Sequence, residues 1–372
     1  FVGRKHNRPT VETLGKGELA RPPAKVLRKA ARAREERLQE LKDRLEREDQ
    51  LERAESEMLL RRALKEKGTK KKVGKDRLGL AVYKWKAERK SRAEHYTPDM
   101  WAVYDAVLGA AKYVDLSHTI EPAMPVWRGF GNITFQPATN KLTGKPFTYA
   151  EDLFEATAYA LTTDQLGTQL DSPAHFSPWR AASDEIPATY ALSKLVVIDV
   201  SDKVATNASY GLSVADIREW ERRHGRIPRR SVVFVRSDWS RAWPAVNTDV
   251  FPQVLLEAVK FLHLERGILF HGHEPLDADM TPAFDAESWV LRNGYAQAEG
   301  VANLHMVAPT GCLLSTGFPK FRGGLGNYVR FVAVCAQSWP HGVQPSAVAE
   351  APMPAYARPL VWDAARGYRA RE

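Results

Sequence analysis

The sequence predicts an α/β domain preceded by a long, basic, helical extension, and three observations support this. From about residue 96 onward, short apolar runs typical of buried strands alternate with amphipathic segments typical of helices. The predicted strands include residues 195–200, 231–237 and 330–336, and the predicted helices include 213–225, which begins at a capping box of Ser213 and Asp216, and 252–267. Residues 24–67 contain no glycine or proline and consist mainly of good helix formers. The first hundred residues hold 29 Lys and Arg against 17 Asp and Glu, whereas the remainder holds 25 against 28.

These patterns divide the chain into five segments. We expect an extended basic arm, a long charged helix, a basic linker, the α/β domain and a C-terminal tail, at residues 1–24, 25–67, 68–95, 96–345 and 346–372. The helix would be about 60 Å long, which exceeds the radius of a single domain, so it must lie on a partner. A solvated helix or an imperfect coiled coil is the alternative interpretation.

The basic residues around this helix predict a partner with many negative charges. Neutralising phosphate groups requires charge and reach but no base-reading geometry, so RNA fits, although an acidic protein would fit equally well. The candidate RNA-binding residues are Arg4, Lys5, Arg8, Arg28, Lys29, Arg61, Arg62, Lys70, Lys71, Lys72, Lys75 and Arg77.

The number of cysteines and the length of the apolar runs limit the cellular compartments in which the chain is expected. Cys312 and Cys335 cannot form a disulfide framework, and their apolar surroundings predict two small buried thiols. No apolar run approaches the roughly 18 residues of a membrane span. We therefore expect a reducing compartment, either the cytosol or the mitochondrial matrix. The first residue is Phe1 rather than Met, as expected after removal of a targeting peptide or in a truncated chain.

The segment 164–176 carries the clearest chemical signal. It reads Asp-Gln-Leu-Gly-Thr-Gln-Leu-Asp-Ser-Pro-Ala-His-Phe and resembles the signature of the cyclase family of metal-dependent hydrolases, which includes the kynurenine formamidases. That signature runs His-x-Gly-Thr-His-x-Asp-x-Pro-x-His. The matching positions are Gly167, Thr168, Asp171, Pro173 and His175. The resemblance spans residues 113–337 and implies the swivelling β/β/α-like fold of that family.

The same resemblance implies that the metal ligands are altered. The two histidines of the signature are replaced by Gln165 and Gln169. Glu299 matches the family's active-site glutamate, and the position twelve residues earlier, a histidine in the family, is Glu287. Glutamine offers a neutral carbonyl oxygen and no nitrogen lone pair, so it is a poor zinc ligand. Asp171 is therefore the one family ligand that is expected to keep its ability to bind a metal ion. We expect no metal or other cofactor.

Several interpretations stay open at these positions. Asp171, Glu287 and Glu299 are hard oxygen donors that could hold magnesium or calcium with help from glutamine carbonyls. Without a metal, Asp171 is expected to accept backbone hydrogen bonds, His175 to be a core histidine, and Glu299 to pair with an arginine such as Arg330.

Two further motifs resemble sites but favour structural interpretations. His271 and His273 lie two residues apart, but no third ligand accompanies them in sequence. The glycine-rich run 323–327 lacks the Lys-Ser/Thr of a phosphate loop and precedes a strand, so it is interpreted as a tight turn at the pocket rim. No Gly-x-Ser-x-Gly elbow is present, which argues against serine catalysis.

The sequence thus favours a catalytically inactive cyclase-family pseudoenzyme that is a structural or assembly component of a ribonucleoprotein. The combination is similar to enzyme-derived proteins of kinetoplastid mitochondrial ribosomes. The expected partners are ribosomal RNA and neighbouring ribosomal or assembly proteins, without a membrane, and a homo-oligomer stays open. One alternative is an active amidohydrolase with a divergent metal site, in which His175 and Glu299 transfer protons. Another is an RNA-free scaffolding factor whose helix binds a protein.

Overall fold

The computed structural model describes residues 100–345, 353 and 355–371. The predicted arm, long helix and basic linker, with all candidate RNA-binding residues, lie outside the described residues. Within the described part, no helix is long and apolar enough to span a bilayer.

Six α-helices and fourteen strands make up the described domain, apart from short 3₁₀ and π-helical turns. The helices are α1 Met100–Ala106, α2 Tyr149–Asp152, α3 Ser201–Thr206, α4 Val214–His224, α5 Leu256–Lys260 and α6 Asp285–Arg292. The strands are β1 Lys112–Asp115, β2 Thr134–Pro137, β3 Thr157–Ala160, β4 Gln169–Asp171, β5 Leu192–Asp199, β6 Gly211–Leu212, β7 Ser231–Arg236, β8 Gln253–Val254, β9 Phe270–His273, β10 Ala296–Glu299, β11 Cys312–Gly317, β12 Arg330–Cys335, β13 Leu360–Asp363 and β14 Tyr368–Arg371.

Eight of these strands form one mixed sheet in the order β1-β12-β11-β5-β7-β9-β10-β4. The four neighbours β5, β7, β9 and β10 run parallel, and every other pairing in the sheet is antiparallel. Helical crossovers between the parallel strands confirm the predicted α/β class.

Alternate residues of the central strands enter two different cores. Leu195 and Val197 of β5 belong to the core on the concave face of the sheet, whereas Val196 and Ile198 face the core beneath the helices. Both faces are therefore buried, as the continuous apolar runs of β5 and β7 require. Helix α4 covers the second core with Ile217 and Trp220.

The two ends of the sheet approach each other, which gives it the shape of a half-barrel. The backbone N–H of Leu170 donates to the carbonyl of Asn327 at 3.0 Å, and that of Val329 donates to Thr168 at 3.1 Å. An isolated bridge joins Ser117 to Val301 in the same region. The segment 164–171 is thus held between the end of β10 and the start of β12.

The observed elements agree with several sequence predictions. Strands β5, β7 and β12 lie where apolar runs predicted them. The capping box of Ser213 and Asp216 begins α4, and Gly225 follows its last residue. The helix predicted over 252–267 begins only at Leu256, because β8 pairs with β6, and it continues as a π-helical turn over Phe261–Glu265.

The prediction of two separate buried thiols is wrong. Cys312 and Cys335 form a disulfide between the adjacent antiparallel strands β11 and β12. Each cysteine occupies the strand end at which its side chain enters the concave core, so apolar surroundings were predicted correctly while pairing was not.

The C-terminal residues include a two-stranded hairpin formed by β13 and β14. Arg369 of β14 attaches this hairpin to the domain, since its Nε donates to Glu155 Oε2 at 2.8 Å and its Nη2 donates to the carbonyl of Ala156 at 3.1 Å. The region predicted as a tail therefore contains an ordered, docked element.

Candidate functional site

A cavity of about 210 Å³ opens beside β4 and β10. Its walls are mainly apolar and aromatic, whereas its floor carries amide and carboxyl groups. The aromatic wall residues are Trp127, Phe130, Phe176 and Phe284, and the polar residues are Gln165, Gln169, His175, Asp277, Glu287 and Glu299. All three altered positions, Gln165, Gln169 and Glu287, line this cavity, and so do Gly167, His175 and Glu299, whereas Thr168, Asp171 and Pro173 do not.

Strand geometry explains why the polar groups converge. Gln169 and Asp171 are two residues apart on β4, so their side chains project to the same face. Antiparallel pairing places Gln169 opposite Glu299 and Asp171 opposite Gln297 on β10. Glu287 arrives from the first turn of α6, which packs against the 3₁₀ turn Pro173–His175.

Three buried carboxyl groups form the centre of the site. One carboxylate oxygen each of Asp171, Glu287 and Glu299 lies within 4.8 Å of the other two. In the described part of the chain, no lysine or arginine pairs with them. Two histidines lie nearby, with His175 Nε2 at 4.0 Å from Glu287 and His273 Nε2 at 3.9 Å from Glu299, but burial lowers the pKa of both imidazoles and so disfavours their charged forms.

The pKa values of these carboxyl groups reflect this lack of positive charge. Burial, together with smaller effects of Asp164 and Asp277, raises the pKa of Asp171 to about 8, although the hydrogen bond from Gln169 acts in the opposite direction. Burial and the neighbouring Asp171 also hold the pKa of Glu287 and of Glu299 well above the usual range. The cluster therefore retains protons at neutral pH when no cation is bound.

Amide groups supply the hydrogen bonds that the carboxyl groups receive. Gln169 Nε2 donates to Glu299 Oε2 at 2.8 Å and to both oxygens of Asp171 at 3.5 Å. Gln297 Nε2 donates to Glu299 Oε1 at 2.8 Å. Gln169 thus presents N–H donors to the carboxyl groups that a metal ion would otherwise join.

Asp277 extends the acidic cluster toward the aromatic wall. Its Oδ2 accepts a hydrogen bond from Trp127 Nε1 at 3.2 Å. Burial raises the pKa of Asp277 to about 6, and hydrogen bonds from Glu287 and Trp127 counteract this effect. A protonated Glu287 that donates to Asp277 accounts for the opposite effects of this contact, which lowers the pKa of Asp277 and raises that of Glu287.

The three candidate histidines, His175, His271 and His273, have different surroundings. His175 lines the cavity and is partly exposed, so the expectation of a satisfied core histidine is wrong. His273 is fully buried, and its Nδ1 contacts the carbonyl of Pro275 at 3.1 Å. His271 contacts His263 at 3.3 Å instead of the cavity. Within residues 100–345, no third ligand completes a metal site with these two β9 histidines.

The surroundings of Glu299 and Asp171 differ from those that the sequence predicts. Glu299 does not pair with Arg330, whose guanidinium binds Asp115 at 2.6 and 3.0 Å. The carboxyl group of Asp171 accepts bonds from the side chain of Gln169 rather than from the backbone. The glycine-rich run is a turn beside the site, as predicted, since the amides of Leu325 and Gly326 donate to Asp164.

The donor set does not fit zinc. Zinc sites of this kind use imidazole nitrogen, and the positions that would supply it are Gln165, Gln169 and Glu287. Gln169 also directs its N–H groups, not a lone pair, toward Asp171 and Glu299. Three clustered carboxyl groups are instead the donor type that magnesium or calcium prefers.

Sequence reasoning missed Asp277 and Gln297. Both follow from the fold, because ligand sites of parallel sheets form beyond the carboxyl ends of the strands, and Asp277 follows β9 there. The acidic run Glu274, Asp277 and Asp279 after a predicted strand was the available signal. Gln297 is identifiable only from the pairing of β10 with β4.

Comparisons with known proteins agree with this architecture. The family model described as "Putative cyclase" matches residues 114–280, which supports the cyclase family for the α/β domain. A second model, described as "Utp11 protein", matches residues 1–91. No curated protein matches the chain.

Solved structures of hydrolases share the fold. Isatin hydrolase A from Labrenzia aggregata, bound to benzyl benzoate, is 27% identical, with a TM-score of 0.57 over 64% of this chain and 98% of its own. Isatin hydrolase A from Ralstonia solanacearum is 25% identical, with the same TM-score over 65% and 99%. A structure described as a novel cyclase, 13% identical with a TM-score of 0.52 over 64% and 92%, shares the fold alone.

Proposed function

We propose that this cyclase-fold chain is a pseudoenzyme and a structural or assembly component of a ribonucleoprotein. The observation that carries the loss of catalysis is the amide of Gln169, which donates to Asp171 and Glu299 where the family would bind a metal. No imidazole replaces the lost ligands at positions 165, 169 and 287. A site without a Lewis acid cannot lower the pKa of water in the way a metal-dependent hydrolase requires.

The basic N-terminal segment supports the ribonucleoprotein role. Its net charge of +12 over a hundred residues suits the neutralisation of phosphate groups. The Utp11 match on the same segment favours an RNA-related role. We further propose the mitochondrial ribosome as the particle and the matrix as the location, in analogy to the enzyme-derived proteins of kinetoplastid mitochondrial ribosomes. Ribosomal RNA and neighbouring proteins would be the partners.

Sedimentation of the native, tagged protein from a mitochondrial lysate tests this role. We expect migration with a large particle and a shift to small species after ribonuclease treatment. Migration as a small species under both conditions would refute the proposal. A chain lacking residues 1–95 serves as a second test, since it should stay soluble and lose the particle.

One observation favours a second candidate, a hydrolase with a divergent metal site. The oxygens of Asp171, Glu287 and Glu299 are close enough to bind one hard cation together. The two isatin hydrolases share the fold at 27% and 25% identity. Elemental analysis of purified protein, followed by an isatin hydrolysis assay with added Mn²⁺ or Mg²⁺, distinguishes the candidates. Stoichiometric metal with turnover that Asp171→Asn abolishes would establish the enzyme.

A further inference from the structure

The α/β domain carries a concentrated group of exposed basic residues at one edge of its sheet. We define the arginine patch as the exposed residues Lys194, Arg218, Arg222, Arg223, Arg226 and Arg230. The five arginines of the patch fall within residues 218–230, which contain only two acidic residues. The domain as a whole has no basic excess, so this local concentration is distinctive.

The patch is a continuous surface because the fold joins its segments. Lys194 of β5 pairs in register with Ser231, which directly follows Arg230. The backbone N–H of Arg230 donates to the carbonyl of Gly267 at 2.9 Å, and Arg226 Nη2 donates to the carbonyl of Glu265 at 3.2 Å. Arg218 lies one helical turn before Arg222 on α4.

Local acidic residues leave much of this charge uncompensated. Glu219 pairs with both Arg222 and Arg223, and Glu221 binds Arg266 at 2.6 and 2.8 Å. Among the described residues, no carboxylate forms an ion pair with Lys194, Arg218, Arg226 or Arg230, although Arg226 contributes to the lowered pKa of Glu221. Arg222 and Arg223 also complement the negative end of α4, but Lys194, Arg226 and Arg230 lie outside that helix and have no such role.

The patch and the acidic cavity lie at opposite edges of the parallel sheet. Lys194 and Arg230 adjoin the amino-terminal ends of β5 and β7, whereas Glu274 and Asp277 follow the carboxyl end of β9. A six-residue strand such as β7 separates these edges by about 20 Å. A polyanion at the patch therefore avoids the buried carboxyl groups, from which it would be repelled.

We propose that the arginine patch is a second RNA-contacting surface, which binds the phosphate backbone independently of the N-terminal segment. Guanidinium groups match phosphate geometry through paired N–H donors, and such contacts are sequence-independent. The choice of RNA over an acidic protein rests on the proposed ribonucleoprotein role. The observation that the patch carries uncompensated positive charge does not depend on that proposed role.

Phenylglyoxal modification of the full chain, read by mass spectrometry, locates the contact. The probe is an RNA duplex of about 20 base pairs, which exceeds the length that known duplex-binding modules span. We expect the duplex to protect Arg218, Arg226 and Arg230 while exposed Arg322 stays reactive. Equal reactivity of all four arginines with and without RNA would overturn the proposal.

A matched pair of variants measures the contribution to affinity. The test variant combines Lys194→Gln, Arg218→Gln, Arg226→Gln and Arg230→Gln. The control combines Lys141→Gln, Lys145→Gln, Lys320→Gln and Arg322→Gln, which are exposed and are not members of the patch. Both variants lose four positive charges, so the comparison isolates the position of the charge, with Lys141 and Lys145 between β2 and β3 and Lys320 and Arg322 between β11 and β12. By fluorescence anisotropy between 50 and 200 mM KCl, the test variant should bind at least about tenfold more weakly, with a salt slope reduced by about 2 to 4. Equal losses in both variants would overturn the proposal.

Sedimentation of the same variants separates this inference from the proposed function. A wild-type chain that binds RNA through the patch but never sediments with a particle would refute only the ribonucleoprotein role. A test variant that leaves the particle yet binds the duplex normally would identify an acidic protein as the occupant and overturn the RNA assignment.

Discussion

Replacing Asp171 with asparagine should stabilise the protein at neutral pH, which is unusual for a buried polar residue. Asparagine keeps an oxygen that accepts the Gln169 hydrogen bond but carries no charge. In the folded state, burial first, then Asp164 and Asp277, raises the pKa of Asp171 from 3.8 to about 8. Folding of the wild-type protein above pH 4 must therefore take up a proton, which the variant does not need.

The sign and size of this effect follow from proton linkage. A raised folded-state pKa costs nothing below the unfolded value of 3.8, and the penalty grows as pH rises until the folded value of about 8 is passed. At 1.36 kcal/mol per pH unit, the penalty reaches about 4 kcal/mol at pH 7 and about 6 kcal/mol above pH 8. These are upper limits because Glu287 and Glu299 share the protons of the cluster.

Guanidinium unfolding followed by tryptophan fluorescence, on protein dialysed against EDTA, measures the difference. We expect equal stability near pH 4 and an increasing advantage of Asp171→Asn from pH 5 to pH 8. Asp216→Asn is the control with the opposite sign. Burial raises the pKa of Asp216, but bonds from Lys203, Ser213 and Tyr210 outweigh it and lower the pKa. That variant should be less stable at pH 7, and its deficit should shrink as the pH falls below about 4.

A pH-independent difference, or an Asp171→Asn variant that is less stable than the wild type at pH 8, would refute this reasoning. Either result is expected of a site that retains a cation through EDTA dialysis, because that cation neutralises the carboxylates. The same measurement with added Mg²⁺, Ca²⁺ or Mn²⁺ then identifies the ion by the stabilisation that it causes.

Three further predictions test the site and its supports. Gly300→Ala should prevent stable folding, because a Cβ there would lie 2.1 Å from the Gly167 carbonyl oxygen. The control Gly144→Ala is also at positive φ but has nothing within 4 Å of the added Cβ, so it should lower the free energy of unfolding in denaturant by only about 1 kcal/mol. The triple variant Gln165→His, Gln169→His and Glu287→His should bind zinc at least about 100-fold more tightly than the wild type by calorimetry, and an unchanged affinity would mean that these side chains do not converge. Arg369→Ala should increase the rate of protease cleavage in the β13–β14 hairpin about tenfold, because it removes hydrogen bonds from a charged group that are worth about 1.5 kcal/mol. The control Arg366→Ala should change the cleavage rate little, because its partner Asp363 lies within the hairpin.

The sequence predicts those parts of the domain that are encoded locally. The apolar runs of β5, β7 and β12 and the Ser213 capping box need only neighbouring residues, and all are found where predicted. The segment 164–176 likewise locates the cavity, because its turns and its i, i+2 spacing direct Gln169 and Asp171 to one face.

The features that the sequence missed depend on long-range pairing. Gln297 enters the site only because β10 pairs with β4, and Cys312 meets Cys335 only because β11 and β12 are neighbours. The closure of the sheet, through the contact of residues 327–329 with 168–170, joins positions more than 150 residues apart. No local pattern contains that information.

The retained cavity has an electrostatic consequence for any binding role. With three buried carboxyl groups and no lysine or arginine partner among the described residues, the cavity favours cations and protons, whereas the arginine patch at the other edge of the sheet favours phosphate. Because the two sites attract opposite charges at opposite edges, a bound polyanion leaves the cavity open. In the proposed pseudoenzyme, the fold does not require a metal ion, because protons and the Gln169 and Gln297 amides satisfy the buried carboxyl groups.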